Sequence, residues 1–213
     1  MRVAALYDVH AMPWALEAVL REVEEEGVDA VVFGGDMACG PFPEETLELV
    51  QSVTGARLVR GNCERESVVP WLRALPVTVT LDEVEYCHST PSDDMPIVTA
   101  ETPVEALDEL FADASERTVV IGHTHHQFDR QASRVRIVNA GSIGMPYEGE
   151  IAAFWALIED GEPRFRKTYF DVEQATAALE ASDWPGTDEF VAENLRAAVS
   201  REEAIAHFEG MRA

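Results

Sequence analysis

Two observations predict an α/β layered fold. Short apolar runs of strand type alternate with amphipathic stretches at helical spacing through the first two thirds of the chain. The 213 residues are 46% hydrophobic, enough to bury a sizeable core without covalent staples.

Residues 2–7 form the first strand. Ala15, Leu16, Val19, Leu20 and Val23 then recur at helical spacing, in a helix opened by Pro13 and closed by Gly27. Residues 28–34 are the second strand, and the loop Cys39-Gly40-Pro41-Phe42-Pro43 leads into a helix over about 44–53. A short third strand is expected at 56–60 and a helix over 64–75. Residues 77–81 and 84–87 flank the acidic turn Asp82-Glu83 and read as a hairpin. A loop at 89–101, rich in Ser, Thr, Pro and Asp, precedes a helix from Pro103 to about 114. Strands follow at 117–121 and 135–138, then a hairpin of 151–158 with 164–170 around Asp160-Gly161-Glu162-Pro163. Residues 172–213 read as two helices broken at Trp184-Pro185-Gly186. Neither a repeat nor a linker divides the chain, so residues 1–213 are expected to form one domain, with the hairpin and helices of 150–213 packed on the part that carries the motifs.

Charge narrows the partners. Acidic residues outnumber basic ones by 40 to 16, a net charge of −24, so a phosphate backbone meets repulsion over most of the surface and long nucleic acid is not expected to bind. The excess is scattered over helix faces such as Glu22, Glu24, Glu25 and Glu26, and part of it must be neutralised by metal. No run approaches membrane-spanning length, and the amino-terminal residues lack the apolar core of a signal peptide. Three cysteines, Cys39, Cys63 and Cys87, cannot all pair within one chain, so a reduced, cytoplasmic setting is expected. A homo-oligomer is compatible with all of this.

Five segments carry chemistry: Asp8-Val9-His10, Gly35-Asp36, Gly61-Asn62-Cys63-Glu64, His88 and Gly122-His123-Thr124-His125. Each follows an apolar strand, and ligands of α/β sheets gather outside the carboxyl ends of strands. Taken singly, Gly35-Asp36 and Gly61-Asn62 are equally good turn chemistry. Two imidazoles at i and i+2 after a strand have no comparable packing role, and four of the six histidines sit in these segments. Carboxylates, imidazoles and one carboxamide together can hold two divalent cations if one carboxylate bridges them. Mixed oxygen and nitrogen ligands suit Mn²⁺, Fe²⁺, Zn²⁺ or Ni²⁺ better than Mg²⁺ or Ca²⁺, with Mn²⁺ the first choice.

The order of these segments resembles the calcineurin-like metallophosphoesterase superfamily, in particular its small bacterial and archaeal phosphodiesterases, over residues 1 to about 170. Asn139-Ala140-Gly141-Ser142 is similar to a further family turn. The fold expected with it is a four-layer αββα sandwich, two mixed sheets flanked by helices. The resemblance implies one metal on Asp8, His10, Asp36 and His125, and a second on Asp36, Asn62, His88 and His123, with Asp36 bridging. It also implies hydrolysis of small phosphoesters, diesters ahead of monoesters, by a hydroxide shared between the metals. Asp36, Asn62, Cys63 and His88 are then the residues nearest the chemistry.

Three departures matter. Ala11-Met12 replaces a family Gly-Asn, Ser89 replaces the glycine after His88, and Cys63 stands where larger relatives carry the histidine taken as the acid for the leaving group. A thiol with a reference pKa of about 8.5 is a weak donor in that role. Cys63 reads equally as packing, and Cys87, one residue before His88 on a strand, as core. Arg60 and Arg65 flank the third motif and are suited either to phosphate or to surface ion pairs. The sequence leaves His126 and Cys39 unassigned. The alternative from a different class is a non-catalytic metal- or nucleotide-binding scaffold of the same fold, which complete ligand positions argue against.

Overall fold

The computed structural model describes residues 1–212. The chain runs through β1 (Arg2–Leu6), α1 (Pro13–Glu26), β2 (Ala30–Phe33), α2 (Pro43–Ser52) and β3 (Arg57–Leu58). A 3-10 turn at Cys63–Glu66 leads to α3 (Pro70–Arg73), β4 (Thr78–Leu81), β5 (Val84–Cys87) and α4 (Val104–Leu110). Next come β6 (Thr118–Ile121), β7 (Phe128–Gln131), β8 (Arg136–Asn139), β9 (Ala153–Glu159) and β10 (Glu162–Thr168). The described residues finish with α5 (Val172–Glu180), α6 (Thr187–Phe190), a π-helical segment at Val191–Leu195, and α7 (Arg201–Arg212).

The strands form two mixed five-stranded sheets, in orders β10-β9-β1-β2-β3 and β4-β5-β6-β8-β7. Side-chain alternation along the strands explains the layering. Val3, Ala5, Tyr7 and Val32 of the first sheet face Val84, Tyr86, Val120 and Val138 of the second. The intervening Ala4, Leu6, Val31 and Phe33 pack outward against Leu16 and Val19 of α1 and Leu47 and Val50 of α2. On the far side, Val119, Ile121 and Ile137 pack against Leu107 and Phe111 at α4. The four-layer α/β sandwich expected from the sequence is the fold observed. Ala175, Leu179, Phe190, Val191 and Leu195 of the carboxyl-terminal helices join the outer core of the first sheet.

Within each sheet the central strands that lead into the motifs are parallel: β1 with β2, and β5 with β6 and β8. Their carboxyl ends therefore deliver Asp8, Asp36, His88, His123 and Asn139 to one edge of the sandwich. The Tyr7 hydroxyl, buried between the sheets, donates to the Val120 carbonyl at 2.8 Å and ties the two together just below that edge.

Four local expectations need correction. Residues 64–75 do not form one helix. The Glu64 side chain turns inward onto backbone amides, and Pro70, without an N–H, starts the separate helix α3. The helix opened by Pro103 stops at Leu110, short of 114, and Ser115 N–H is held by the Glu85 carboxylate of β5 at 2.8 Å. The edge strand β7 has no β-branched residue to announce it, and is held partly by an ion pair from Asp129 to Arg136 of β8 at 2.8 Å. Among the described residues, the carboxyl-terminal region has three α-helices and a π-helical segment rather than two helices. Ser200 and Glu203 form a capping box at the start of α7, with Glu203 N–H donating to Ser200 Oγ and Ser200 N–H to Glu203 Oε2, both at 3.2 Å.

Candidate metal centre

The turns that follow β1, β2 and β6 are tightly wound. Among the described residues, nine non-glycine residues have positive φ, and five of them are Asp8, His10, Asp36, His123 and His125. Such backbone is uncommon outside glycine, and its concentration at one edge shows how tightly these turns are wound. Gly35, at φ +98°, lets the Asp36 loop lie against the Gly61 loop, since a Cβ there would sit 2.6 Å from the Gly61 backbone.

Asp8 is fully buried, and its Oδ2 accepts from the His123 N–H at 2.9 Å. Its Oδ1 is buried with no hydrogen-bond partner. Three imidazole nitrogens surround that oxygen: His125 Nε2 at 3.4 Å, and His10 and His88 Nε2 each at 3.9 Å. Asp36 lies alongside, its Oδ2 being 3.6 Å from His88 Nε2 and 4.0 Å from His10 Nε2. Its Oδ1 accepts from Cys63 N–H at 2.9 Å.

The histidine tautomers follow from their partners. His10, His88 and His125 each direct Nδ1 at a backbone carbonyl, of Cys39 at 3.2 Å, Gly34 at 2.9 Å and Met145 at 2.7 Å. A carbonyl only accepts, so Nδ1 carries the hydrogen and Nε2 presents its lone pair to the centre. This is the arrangement by which outer partners orient metal-binding imidazoles. His10 and His125 Nε2 face each other at 3.1 Å, and His88 Nε2 faces Asn62 Oδ1 at 3.0 Å. Lone pairs aimed at one another and at an orphaned carboxylate oxygen fit a cation between them. Asp8 with His10 and His125, and Asp8 with Asp36 and His88, each bring ligand atoms within 4.8 Å of one another.

With the imidazole Nε2 atoms among carboxylates, protons take the place a cation would. Burial alone lowers the His10 pKa, but the Cys39 contact and the Asp36 and Asp8 carboxylates outweigh it and raise it to about 9. His88 is likewise held above its usual value, against the effect of burial, by Asp36 and Asp8. Despite burial, Asp8 is held below the usual carboxylate range by His125, His88 and His10, and Asp36 by His88 and His10. His123 differs. Its ring lies 5.0 Å from that of His88, its Nε2 faces the Met95 carbonyl at 3.2 Å, and burial and neighbouring His88 lower its pKa to about 4. Nδ1 is then the atom it has free for a cation.

Four further residues support the centre. Glu64, 2% exposed, accepts from the N–H groups of Asp36, Met37 and Gly61, each at 2.8 Å, and so clamps the second motif to the third. Its position inside the Gly61-Asn62-Cys63-Glu64 segment was a signal available in the sequence. Ser142 Oγ donates to the Asp8 carbonyl at 2.8 Å, and the Asn139 amide donates to the Gly122 carbonyl at 2.6 Å. Tyr147 stacks on His125 with ring centroids 5.0 Å apart, and no motif announced it.

The open assignments resolve in part. Arg60 pairs with buried Asp94 at 3.1 Å, and Arg65 pairs with Asp93 and Asp94, so both are engaged in ion pairs. His126 is fully buried, its Nδ1 on the Thr124 carbonyl at 2.8 Å and its Nε2 accepting from Ala100 N–H at 3.3 Å, so both ring nitrogens are occupied away from the centre. Cys87 is core, as its strand position predicts. Cys39 and Cys63 lie beside each other and His10, their ligand atoms within 4.8 Å. Their proximity, with burial, pushes the Cys63 thiol well up, and Cys63 and His10 together bring Cys39 down to about 5.

Residues 1–160 match the family model described as the calcineurin-like phosphoesterase superfamily domain. No curated protein matches the chain. Among solved structures, a metallophosphoesterase from Sphaerobacter thermophilus is 22% identical with a TM-score of 0.79, over 93% of this chain and 99% of that one. A hypothetical protein from Pyrococcus horikoshii OT3 is 17% identical with a TM-score of 0.77, over 90% and 96%. Yfce, a phosphoesterase from E. coli, is 20% identical with a TM-score of 0.53, over 80% and 100%. At these identities the likenesses speak for the fold.

Proposed function

The chain belongs to the calcineurin-like phosphoesterase superfamily, and from that membership together with the convergent imidazoles we propose that it hydrolyses small phosphoesters, diesters ahead of monoesters, using two divalent cations. Asp8, His10 and His125 hold one, Asn62, His88 and His123 the other, and Asp36 serves both. Bound there, two cations would supply positive charge for the phosphoryl group and would acidify a water as the nucleophile. Mn²⁺ is the first candidate, with Fe²⁺, Zn²⁺ and Ni²⁺ next.

The protein supplies position and exclusion. Glu64 fixes the two loops that carry Asp36 and Asn62, and the three carbonyl-bound imidazoles keep their lone pairs inward. Asn62 turns its Oδ1 toward His88 Nε2 at 3.0 Å, which supports its assignment beside His88. Cys63, the residue in line with the leaving group by resemblance, is a poor acid here because its thiol is shifted up by Cys39 and by burial. The acidic surface favours small substrates over long nucleic acid.

The observation that carries this reading is the orphaned Asp8 Oδ1 ringed by three Nε2 lone pairs. It is tested by elemental analysis of the purified protein together with hydrolysis of a panel of phosphodiesters and monoesters under each added metal. Metal-dependent turnover of the diesters supports it, and no turnover with any metal refutes it.

A further inference from the structure

The carboxyl-terminal helices lie beyond the 1–160 family region, and they build a wall beside the metal centre. Between that wall and the loop after β8 is an open cleft of about 810 Å³, lined by Met145, Tyr147, Ala198, Ala204, Phe208 and Met211 among others. That volume is within the range of ligand pockets.

The cleft begins where the centre ends. The Tyr147 ring stacks on His125, and its N–H donates to the His125 carbonyl at 3.0 Å. The Met145 carbonyl receives His125 Nδ1–H. On the other side Tyr147 faces Phe208, with ring centroids 6.1 Å apart. One aromatic ring thus lies between a candidate ligand and the cleft, which sets the centre and an apolar surface side by side.

Charge decides what that substituent is. The charged residues lining the cleft are Glu193 and Glu203, with His207 beside them and neither Arg nor Lys. A second anionic group would be repelled there, whereas aromatic faces and methionine thioethers favour an uncharged ring. Building on the phosphoesterase reading above, the geometry points to this cleft as the subsite for the retained ester group of a phosphodiester, a group that is uncharged and aromatic.

The test keeps the leaving group constant and varies the other ester: methyl, phenyl and 2-carboxyethyl p-nitrophenyl phosphates, with Mn²⁺-loaded full-length protein. The phenyl ester should exceed the methyl ester in kcat/KM by about 10-fold or more, chiefly through KM, as expected for burying one ring. The carboxyethyl ester should fall below the methyl ester. Ala198→Trp, which fills the cleft, and Phe208→Ala, which removes a wall, should each bring the phenyl-to-methyl ratio toward one. A ratio already near one in the unaltered protein, or a ratio that neither variant changes, overturns the subsite.

Occupancy is read independently of turnover from the methyl resonances of ¹³C-methyl-methionine protein titrated with diphenyl phosphate. Met145 and Met211 should shift, and inorganic phosphate should leave Met211 unmoved. Met shifts without hydrolysis of any ester would sustain the cleft and sink the phosphoesterase reading. Hydrolysis without these shifts does the reverse. Met211 shifts that depend on protein concentration alone would instead make this face an interface between copies and overturn the proposal.

Discussion

Glu64 offers the sharpest mechanical test, because it touches no substrate and yet holds both halves of the centre. Glu64→Gln keeps its shape but replaces one acceptor oxygen with an NH₂ group facing backbone N–H donors. Three buried donors, from Asp36, Met37 and Gly61, depend on the two oxygens. Leaving a buried donor unpaired costs about 1–3 kcal/mol, so one or two stranded donors predict a loss of about 1–6 kcal/mol. Burial and the Asp36 carboxylate push the Glu64 carboxyl above the usual range while the three donors pull it down. Removing the charge relieves that repulsion, which places the expected loss toward the low end. Glu64→Ala strands all three donors, and a loss of about 3–9 kcal/mol would be a large part of a typical stability of about 5–15 kcal/mol. Urea unfolding of the metal-free protein at constant m-value measures the first effect, and Mn²⁺ calorimetry on Glu64→Gln should show affinity down by about 10-fold or more. A Glu64→Gln protein within about 0.5 kcal/mol of the unaltered one, with unchanged metal affinity, would refute the clamp.

Asp36→Asn should abolish turnover and lower metal content more than any other single ligand change, as elemental analysis and kinetics would report, whereas near-normal activity with two metals retained would remove Asp36 as the bridge. His88→Ala should deplete mainly one ion, and retention of both would exclude it as a ligand. In the metal-free protein the His10 pKa is raised to about 9, so the stability it contributes is fully present below about pH 6.5 and lost as pH rises through 9, by up to about 3 kcal/mol. Thermal scans should show the metal-free melting temperature falling across that window, and an unchanged or rising profile would contradict the shift. With no strong acid at Cys63, aryl leaving groups should be expelled much faster than alkyl ones, and Cys63→His should narrow the gap by about 10-fold or more; a flat leaving-group series in the unaltered protein would point to another donor.

The strands and the edge they share were legible because apolar runs ended each time in a polar, metal-binding side chain, and the parallel pairing of β1 with β2 and of β5 with β6 and β8 brings those ends together. Helix α1 was equally plain, from Pro13 to the left-handed Gly27. The lost detail lies where side chains override local pattern. Glu64 turned the expected helix over 64–75 into a clamp, and β7 forms through its neighbour β8 rather than through its own composition. Tyr147 and the cleft it borders were out of reach, since their meaning depends on contact between residues about sixty apart in sequence. The second break near Ser200 was readable, through the Ser200-Glu203 capping pair.

The central claim is that this sheet edge holds two cations, and anomalous X-ray scattering from crystals of the Mn²⁺-loaded protein tests it most directly. The account predicts two peaks roughly 3.5–4 Å apart, one against Asp8, His10 and His125 and one against Asn62, His88 and His123, with Asp36 between them. Full metal-dependent phosphodiesterase activity in a protein whose anomalous map has no peak beside Asp8 Oδ1 would contradict it.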